Sequence, residues 1–130
     1  MEAVAYYVAK ARSGAVEDAF HGLQDLGTDA LPAMQSAYHD EVDPIVRALI
    51  VEAIWQRRQP STTDFLADAL RDPAPPVWKQ ALDGLVTLAS PASICALRSA
   101  WDRETNPERR AWIEEAIGQA TDAVTRHAAS

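Results

Sequence analysis

The sequence predicts an all-α fold, and three observations support this. Ala and Leu are abundant while glycine numbers only 5 of 130 residues, a composition typical of helices. The 8 prolines collect between segments whose apolar residues recur with the 3.6-residue period of a helix. The β-branched pairs Ile45-Val46 and Ile50-Val51 lie inside such segments and lack the alternation of a half-buried strand. We therefore expect helices separated by prolyl turns.

Residues that favour helix starts and turns divide the chain into eight helices. Asp43-Pro44 predicts a turn before the fourth helix, and Ser61 suits the N-cap of the fifth. Ser90 and Pro91 suit the start of the seventh helix, and Asn106-Pro107 predicts a turn before the eighth. The other four helices are placed by the periodicity of their apolar residues alone. The predicted ranges are 2–12, 15–26, 30–41, 45–58, 61–72, 77–89, 92–104 and 108–126.

Three prolines indicate that the helices form a repeat. Pro44, Pro75 and Pro107 recur at nearly equal intervals along the chain, and the interval is appropriate to a unit of two helices. A small residue followed by a large aliphatic one recurs at the same interval, and the small residue permits close approach of two helices. These pairs are Gly22-Leu23, Ala53-Ile54, Gly84-Leu85 and Ala116-Ile117. We expect a single domain with units at about 1–28, 29–59, 60–90 and 91–126.

Two stretches carry a family resemblance. Asp43-Pro44-Ile45-Val46-Arg47, followed by Ala53-Ile54, resembles the turn and helix signature of HEAT repeats, specifically the short bacterial HEAT-like type. Leu23-Gln24-Asp25-Leu26-Gly27, followed by Ala30-Leu31-Pro32, is similar to the join between two units of that family. The resemblance implies a right-handed α-solenoid, a HEAT-like α-α superhelix of about four antiparallel helix pairs.

The later units depart from the family pattern. Trp78 stands where the family has Arg, and Arg109 replaces its Val. The resemblance covers residues 15–120, roughly, and is clearest in the middle units. It is nearly silent about function, because the family includes scaffolds, chaperone-like adaptors, lyases and a few enzymes.

Charge and composition exclude several classes of partner. With 12 Lys and Arg against 19 Asp and Glu, the net charge of −7 disfavours nucleic acid and anionic membranes. Charges such as Arg47 and Glu52 interrupt every apolar run before it could span a bilayer. The single cysteine, Cys95, cannot form an internal disulfide. We therefore expect a cytoplasmic protein.

One face of the second helices is predicted to bind a partner protein. Stacked helix pairs leave an extended concave surface, and a helical wheel places a ladder of apolar, aromatic and basic side chains there. Aromatic residues and Arg are favoured at interface hot spots. The predicted partner-binding residues are Phe20, Arg47, Val51, Trp55, Arg58, Trp78, Leu82, Val86 and Arg110. Alternatively, the ladder packs one second helix on the next. Trp101 and Trp112 are predicted to be core residues.

The N-terminal third is acidic. Residues 1–42 carry 7 acids and 2 bases, whereas the remainder carries 12 acids and 10 bases. The seven acids are Glu2, Glu17, Asp18, Asp25, Asp29, Asp40 and Glu41. We expect this acidic pole to steer a basic protein, a toxin or a client, toward the concave surface. The alternative is a solvated face that maintains solubility.

No catalytic or metal-binding constellation is evident, and we expect no cofactor. His21, His39 and His127 fall in separate units, and no two have the i, i+4 spacing of a helical metal site. His39-Asp40 is the nearest approach to an acid/base pair, but adjacent helical residues point in different directions.

Two other reactive groups have structural interpretations. Asp64, Asp68 and Asp72 share one helical face without a histidine, which favours an exposed acidic stripe. Cys95 lies in an Ile-Cys-Ala-Leu run, which predicts a buried structural thiol.

These observations favour a noncatalytic protein-interaction module, as an adaptor, an assembly chaperone or an immunity protein. The alternative is a HEAT-like lyase or other enzyme that uses His39, Asp40 or Cys95. HEAT-type deoxyhypusine hydroxylases are excluded because they hold iron with His-Glu dipeptides, which this chain lacks. DNA-binding HEAT proteins use a basic groove, which the charge disfavours.

Overall fold

A computed structural model describes the backbone of residues 2–129 and the side chains of residues 2–127. These residues form eight α-helices and two short 3-10 segments, with no strand among them. The helices are α1 (Glu2–Arg12), α2 (Val16–Asp25), α3 (Leu31–Asp40), α4 (Pro44–Trp55), α5 (Thr63–Ala69), α6 (Pro75–Leu88), α7 (Pro91–Arg103) and α8 (Pro107–Ala129). The 3-10 segments, Thr28–Ala30 and Pro60–Thr62, precede α3 and α5. The predicted all-α fold is confirmed.

Side-chain caps explain where several helices begin. The Asp43 carboxylate accepts a hydrogen bond of 2.9 Å from the Ile45 N–H at the start of α4. Ser90 and Ser93 form a reciprocal capping box at the start of α7. Asn106 Oδ1 accepts two backbone N–H groups at the start of α8. The predicted N-cap at Ser61 is wrong, because the chain forms a 3-10 segment there and α5 begins only after it.

The helices pack as four consecutive pairs, an α-solenoid. Each odd-numbered helix packs on the even-numbered helix that follows it, and the second helices α2, α4, α6 and α8 stack side by side. The two middle ones, α4 and α6, are therefore covered on three sides, by their own partner and by two neighbours. Within residues 2–129, no helix combines the length and the apolar character needed to cross a membrane.

The small-then-large pairs sit in the core between second helices. Ala53, Gly84 and Ala116 are buried, as is the large residue after the first two of them. A Cβ placed on Gly84 would lie only 2.6 Å from Cβ of Trp55 and 2.9 Å from Cδ1 of Leu66. The predicted role of the small residue in close helix approach is confirmed.

A carboxylate three positions before each repeat proline holds the turn within the second, third and fourth pairs. Glu41, Asp72 and Glu104 each accept the backbone N–H two positions later, at 3.1, 2.9 and 3.2 Å respectively. These acids therefore recur at the same interval as the prolines. Their side chains are paired with Arg12, Arg47 and Arg109 in that order. The acids belong to the architecture of the repeat.

This motif corrects two expectations about exposed acids. The predicted exposed stripe is wrong for Asp72, which is buried, whereas Asp64 and Asp68 are exposed on α5. The predicted acidic pole is wrong for Glu41, which is also buried. In both cases an arginine and a backbone N–H compensate the buried charge and so offset the free energy that its dehydration costs.

Candidate functional site

Three of the predicted partner-binding residues are buried inside the chain. Val51 is 0% exposed, and Trp78 and Leu82 are each 3% exposed. The expectation that they line an open surface is wrong, because α4 and α6 have a second helix on either side and need a wide apolar stripe. The alternative interpretation, packing between second helices, is the one that the structure supports for these residues.

Two predicted arginines are engaged away from the stacked second helices. Arg47 forms an ion pair with the buried Asp72, and its guanidinium carbon lies 5.4 Å from the ring centroid of Tyr38. Arg110 stacks on the Trp101 ring of α7 at 3.6 Å and donates a hydrogen bond to the Trp101 carbonyl. The prediction that both guanidiniums lie on the concave surface is wrong, because each contacts a residue outside the second helices.

The other predicted residues keep some access to solvent. Phe20, Trp55 and Val86 are half-buried, and Arg58 is exposed just beyond the end of α4. Trp55 Nε1 donates a hydrogen bond of 2.8 Å to Gln80 Oε1, which joins α4 to α6. Contact of these four residues with a partner stays a prediction.

The most exposed tryptophan among the described residues is Trp112, for which the sequence predicts a core position. Trp112 on α8 is 43% exposed, so the core prediction for this residue is wrong. Its ring meets the Trp78 ring edge-on at 6.0 Å, and Lys79 Nζ lies 4.4 Å from its centroid. Trp112 therefore presents one part of an anchored ring to solvent, while the lysine covers another part.

A shallow cavity of about 110 Å³ lies between α6 and α8 beside this ring. Its lining combines the aromatic ring with two carboxylates and small apolar patches. The lining residues are Leu82, Asp83, Val86, Trp112, Glu115, Ala116 and Gln119. Val86, one of the predicted residues, thus lies beside an open cavity.

A row of carboxylates follows the second helices. Glu52, Asp83 and Glu115 recur at the repeat interval and so occupy equivalent positions of α4, α6 and α8. None of the three forms an ion pair with another described residue. Glu115 accepts only a long hydrogen bond of 3.5 Å from Gln119. The row therefore keeps its charge available, unlike the turn carboxylates.

The electrostatics of this row are unfavourable in the isolated chain. Burial raises the pKa of Glu52 above its ordinary value, and repulsion from Asp83 raises that pKa further. Partial burial also raises the pKa of Asp83. Both shifts mean that a nearby cation would stabilise the charged forms.

We define the second-helix face as the surface that contains the carboxylate row and the exposed tryptophan. It comprises Glu52, Lys79, Gln80, Asp83, Val86, Trp112, Glu115 and Gln119. The carboxylate row is absent from the predicted partner-binding residues, although its spacing repeats that of Pro44, Pro75 and Pro107. Polar positions recur between the units as the apolar ones do, so the repeat spacing alone can identify this row.

The acidic N-terminal pole is largely as expected. Apart from Glu41, all of its acids are exposed on α1 to α3 or on the adjoining turns. Lys10 Nζ approaches Asp18 at 4.0 Å, which neutralises little of the charge. The pole thus adds negative potential at one end of the solenoid.

The residues named for the enzymatic alternative do not converge. Cys95 is exposed, so the expected burial of its thiol is wrong. It lines an outer groove between α5 and α7 with Asp64 and small residues, and no histidine lines that groove. His39 lies elsewhere, with its ring 5.2 Å from the Tyr38 ring. Among the described residues, no three His, Cys, Asp or Glu side chains are grouped to hold a metal ion.

Comparisons with known proteins address the family. A family model described as HEAT repeats matches residues 31–118, more than half of the chain. A search of curated proteins gives no match. HEAT repeats are commonly protein-interaction scaffolds and typically noncatalytic. With the stacked helix pairs and the repeat spacing described above, this match shows that the chain belongs to the HEAT-repeat family.

Proposed function

We propose that the protein is a noncatalytic interaction module that binds a basic segment of another protein on the second-helix face. The observation that carries this proposal is the row of Glu52, Asp83 and Glu115, without ion-pair partners in the described chain, beside the exposed Trp112. Adaptors, assembly chaperones and immunity proteins that occlude a basic toxin all fall within this function.

The carboxylate row favours a partner with regularly placed Lys or Arg side chains. Glu52 and Asp83 repel each other, and this repulsion contributes to the raised pKa of Glu52. A cation placed between them would remove this repulsion and would also satisfy both carboxylates. Binding would thus relieve an unfavourable interaction that is present in the free chain.

Trp112 supplies an apolar anchor for the same partner. Interface hot spots are enriched in tryptophan, and the ring is held in place by Trp78 and Lys79 before binding. A preorganised ring loses little side-chain entropy on association. The aliphatic part of a lysine or arginine, or a neighbouring apolar residue, would pack on its open portion.

A peptide selection with a charge-matched counter-selection tests the proposal. Random peptides are displayed and selected on the wild-type chain, then on a variant with Glu52→Gln, Asp83→Asn and Glu115→Gln. A control variant with Asp29→Asn, Asp64→Asn and Asp102→Asn removes the same charge from exposed positions outside the face. Enriched peptides should be rich in Lys and Arg, should bind the control, and should lose affinity for the face variant.

The charge at the acidic pole predicts a kinetic signature for these peptides. Their association rate should fall steeply with added salt, while the dissociation rate changes little. Enrichment of peptides without a basic bias, or equal binding to the face variant and the control, would contradict the proposed function.

A further inference from the structure

A second cavity, of about 200 Å³, opens at the turn edge between the third and fourth helix pairs. It shares no lining residue with the cavity beside Trp112. Its lining is rich in guanidinium groups. The lining residues are Leu70, Arg71, Ala100, Arg103, Glu104, Arg109 and Ile113.

The lining of this cavity carries more positive than negative charge. Arg71 and Arg103 are exposed and form no ion pair with any described residue. Glu104 is the single carboxylate in the lining, and it already accepts the Asn106 N–H. Three guanidiniums against one carboxylate leave an excess of two positive charges, in a protein whose net charge is −7.

Arg109 departs from the repeat at a core position. The equivalent residues of α4 and α6 are Val46 and Val77, which are 3% and 0% exposed. A guanidinium at such a position loses hydration, and the chain compensates it only in part. Arg109 donates one hydrogen bond of 3.3 Å to the Leu70 carbonyl, while its buried Nε has no hydrogen-bond acceptor.

The turn carboxylate beside Arg109 is also less tightly paired than in an earlier unit. Glu104 Oε1 lies 3.8 Å from Arg109 Nε, whereas Glu41 Oε1 accepts a hydrogen bond of 2.7 Å from Arg12 Nε. The Arg109 guanidinium of the fourth turn therefore keeps a donor, Nε, that no group of the described chain satisfies. A departure of this kind from an otherwise regular pattern is expected at a functional site.

The two exposed arginines belong to the repeat as well. Arg71 and Arg103 are one repeat interval apart and occupy equivalent positions at the ends of the first helices of the third and fourth pairs, whereas the second unit has Asp40 there. The arginine thus occurs at this position in both of the units that flank the cavity. Their placement puts two exposed guanidiniums at the mouth and the half-buried Arg109 in the wall.

We propose that this cavity binds a phosphate group, either as the free anion or on a phosphorylated side chain. A phosphate monoester carries about two negative charges at neutral pH, which matches the excess in the cavity. Guanidinium groups bind phosphate oxygens in a bidentate manner, and a cavity of about 200 Å³ has room for the group and ordered water.

Calorimetric titration at constant ionic strength tests this proposal on the full chain. The probes are inorganic phosphate, with chloride as its control anion, and a phosphoserine peptide, with the unphosphorylated peptide as its control. The pocket variant carries Arg71→Gln and Arg103→Gln. The control variant carries Arg98→Gln and Arg126→Gln, which removes the same charge from exposed positions outside the lining. Thermal melting of both variants checks that the fold is intact.

We expect the phosphate probes to bind the wild type and the control, and to bind the pocket variant about tenfold more weakly or worse. Tighter binding of the peptide than of inorganic phosphate would identify a phosphorylated side chain as the source, whereas equal affinities would identify a free anion. Absence of binding at millimolar concentration, or equal weakening in the control, would overturn the proposal.

Discussion

Arg47 on α4 forms an ion pair with Asp72, which lies in the turn of the next helix pair. Asp72 also accepts a hydrogen bond of 2.8 Å from the Tyr38 hydroxyl on α3 and another from the Ala74 N–H. One buried carboxylate thus ties both helices of the second pair to the turn of the third. Burial raises the pKa of Tyr38, against the opposing effect of Arg47, so the hydroxyl stays protonated and donates.

Removal of this carboxylate should strongly destabilise the fold. In Asp72→Ala, Arg47 loses its ion-pair partner and the buried Tyr38 hydroxyl loses its acceptor. We expect a decrease of about 3 kcal/mol in the free energy of unfolding. Urea denaturation measures this decrease. Asp68→Ala, an exposed acid one turn earlier, should change stability by no more than about 0.5 kcal/mol. Similar losses for the two variants would contradict the structural role of the Arg47–Asp72 pair.

The fold could be predicted from the sequence because its signals are local. Pro44, Pro75 and Pro107 each stand at the first residue of a second helix, Asp43-Pro44 stands at the start of α4, and Ser90 caps α7 as predicted. Periodicity, caps and turn residues act within a few positions of one another. They can therefore be interpreted without knowledge of how the helices stack.

The proposed binding surface depends on how the helices stack, which the sequence of a single helix does not reveal. A helical wheel treats each helix alone. The core of a single helix pair does not need the apolar side chains of Val51 and Leu82, and they are therefore predicted to bind a partner. Trp112 aligns with the buried Leu49, and this alignment is the reason for its predicted core position. Among the described second helices, however, α4 packs between α2 and α6, whereas α8 packs on α6 alone. The same repeat position is thus buried in one unit and exposed in another.

Two glycine substitutions should change stability in opposite directions. In Gly84→Ala, the added methyl would meet Cβ of Trp55 at 2.6 Å, and the resulting repacking should destabilise the fold by about 1 to 3 kcal/mol. In Gly118→Ala, nothing lies within 4 Å of the added methyl. Higher helix propensity should then stabilise α8 by about 0.5 to 1 kcal/mol. Thermal melting of both variants checks the signs, and a stabilised Gly84→Ala would contradict the close approach of α4 and α6.

Trp78 and Trp112 should separate a packing role from a binding role. Trp78→Ala opens a cavity beneath α8 and should destabilise the fold by about 3 to 5 kcal/mol. Trp112→Ala removes a partly exposed ring and its contact with Lys79, and this should destabilise the fold by about 1 kcal/mol or less. Chemical denaturation gives both values. A loss at Trp112 as large as that at Trp78 would mean that its ring serves the core, and the anchor on the second-helix face would then be excluded.

The Glu41–Arg12 pair should make stability depend on pH in the acid range. Burial alone would raise the pKa of Glu41, but hydrogen bonds from Arg12 and from the Asp43 N–H lower it overall. The Glu41 carboxylate therefore binds its proton less tightly in the folded chain than in the unfolded chain. Stabilisation from this group is complete above the ordinary glutamate pKa of about 4.3, and it is lost as the pH falls through the lowered folded value.

Substitution of Glu41 isolates this dependence. We expect Glu41→Gln to be less stable than wild type at neutral pH, and the difference to shrink as the pH falls below about 4.3. Glu52 and Asp83, whose raised pKa values act with the opposite sign, are present in both proteins and cancel in the difference. Asp40→Asn, which removes the exposed acid next door, controls for net charge. Urea denaturation at a series of pH values measures the difference, and one that is constant with pH would contradict a lowered pKa at Glu41.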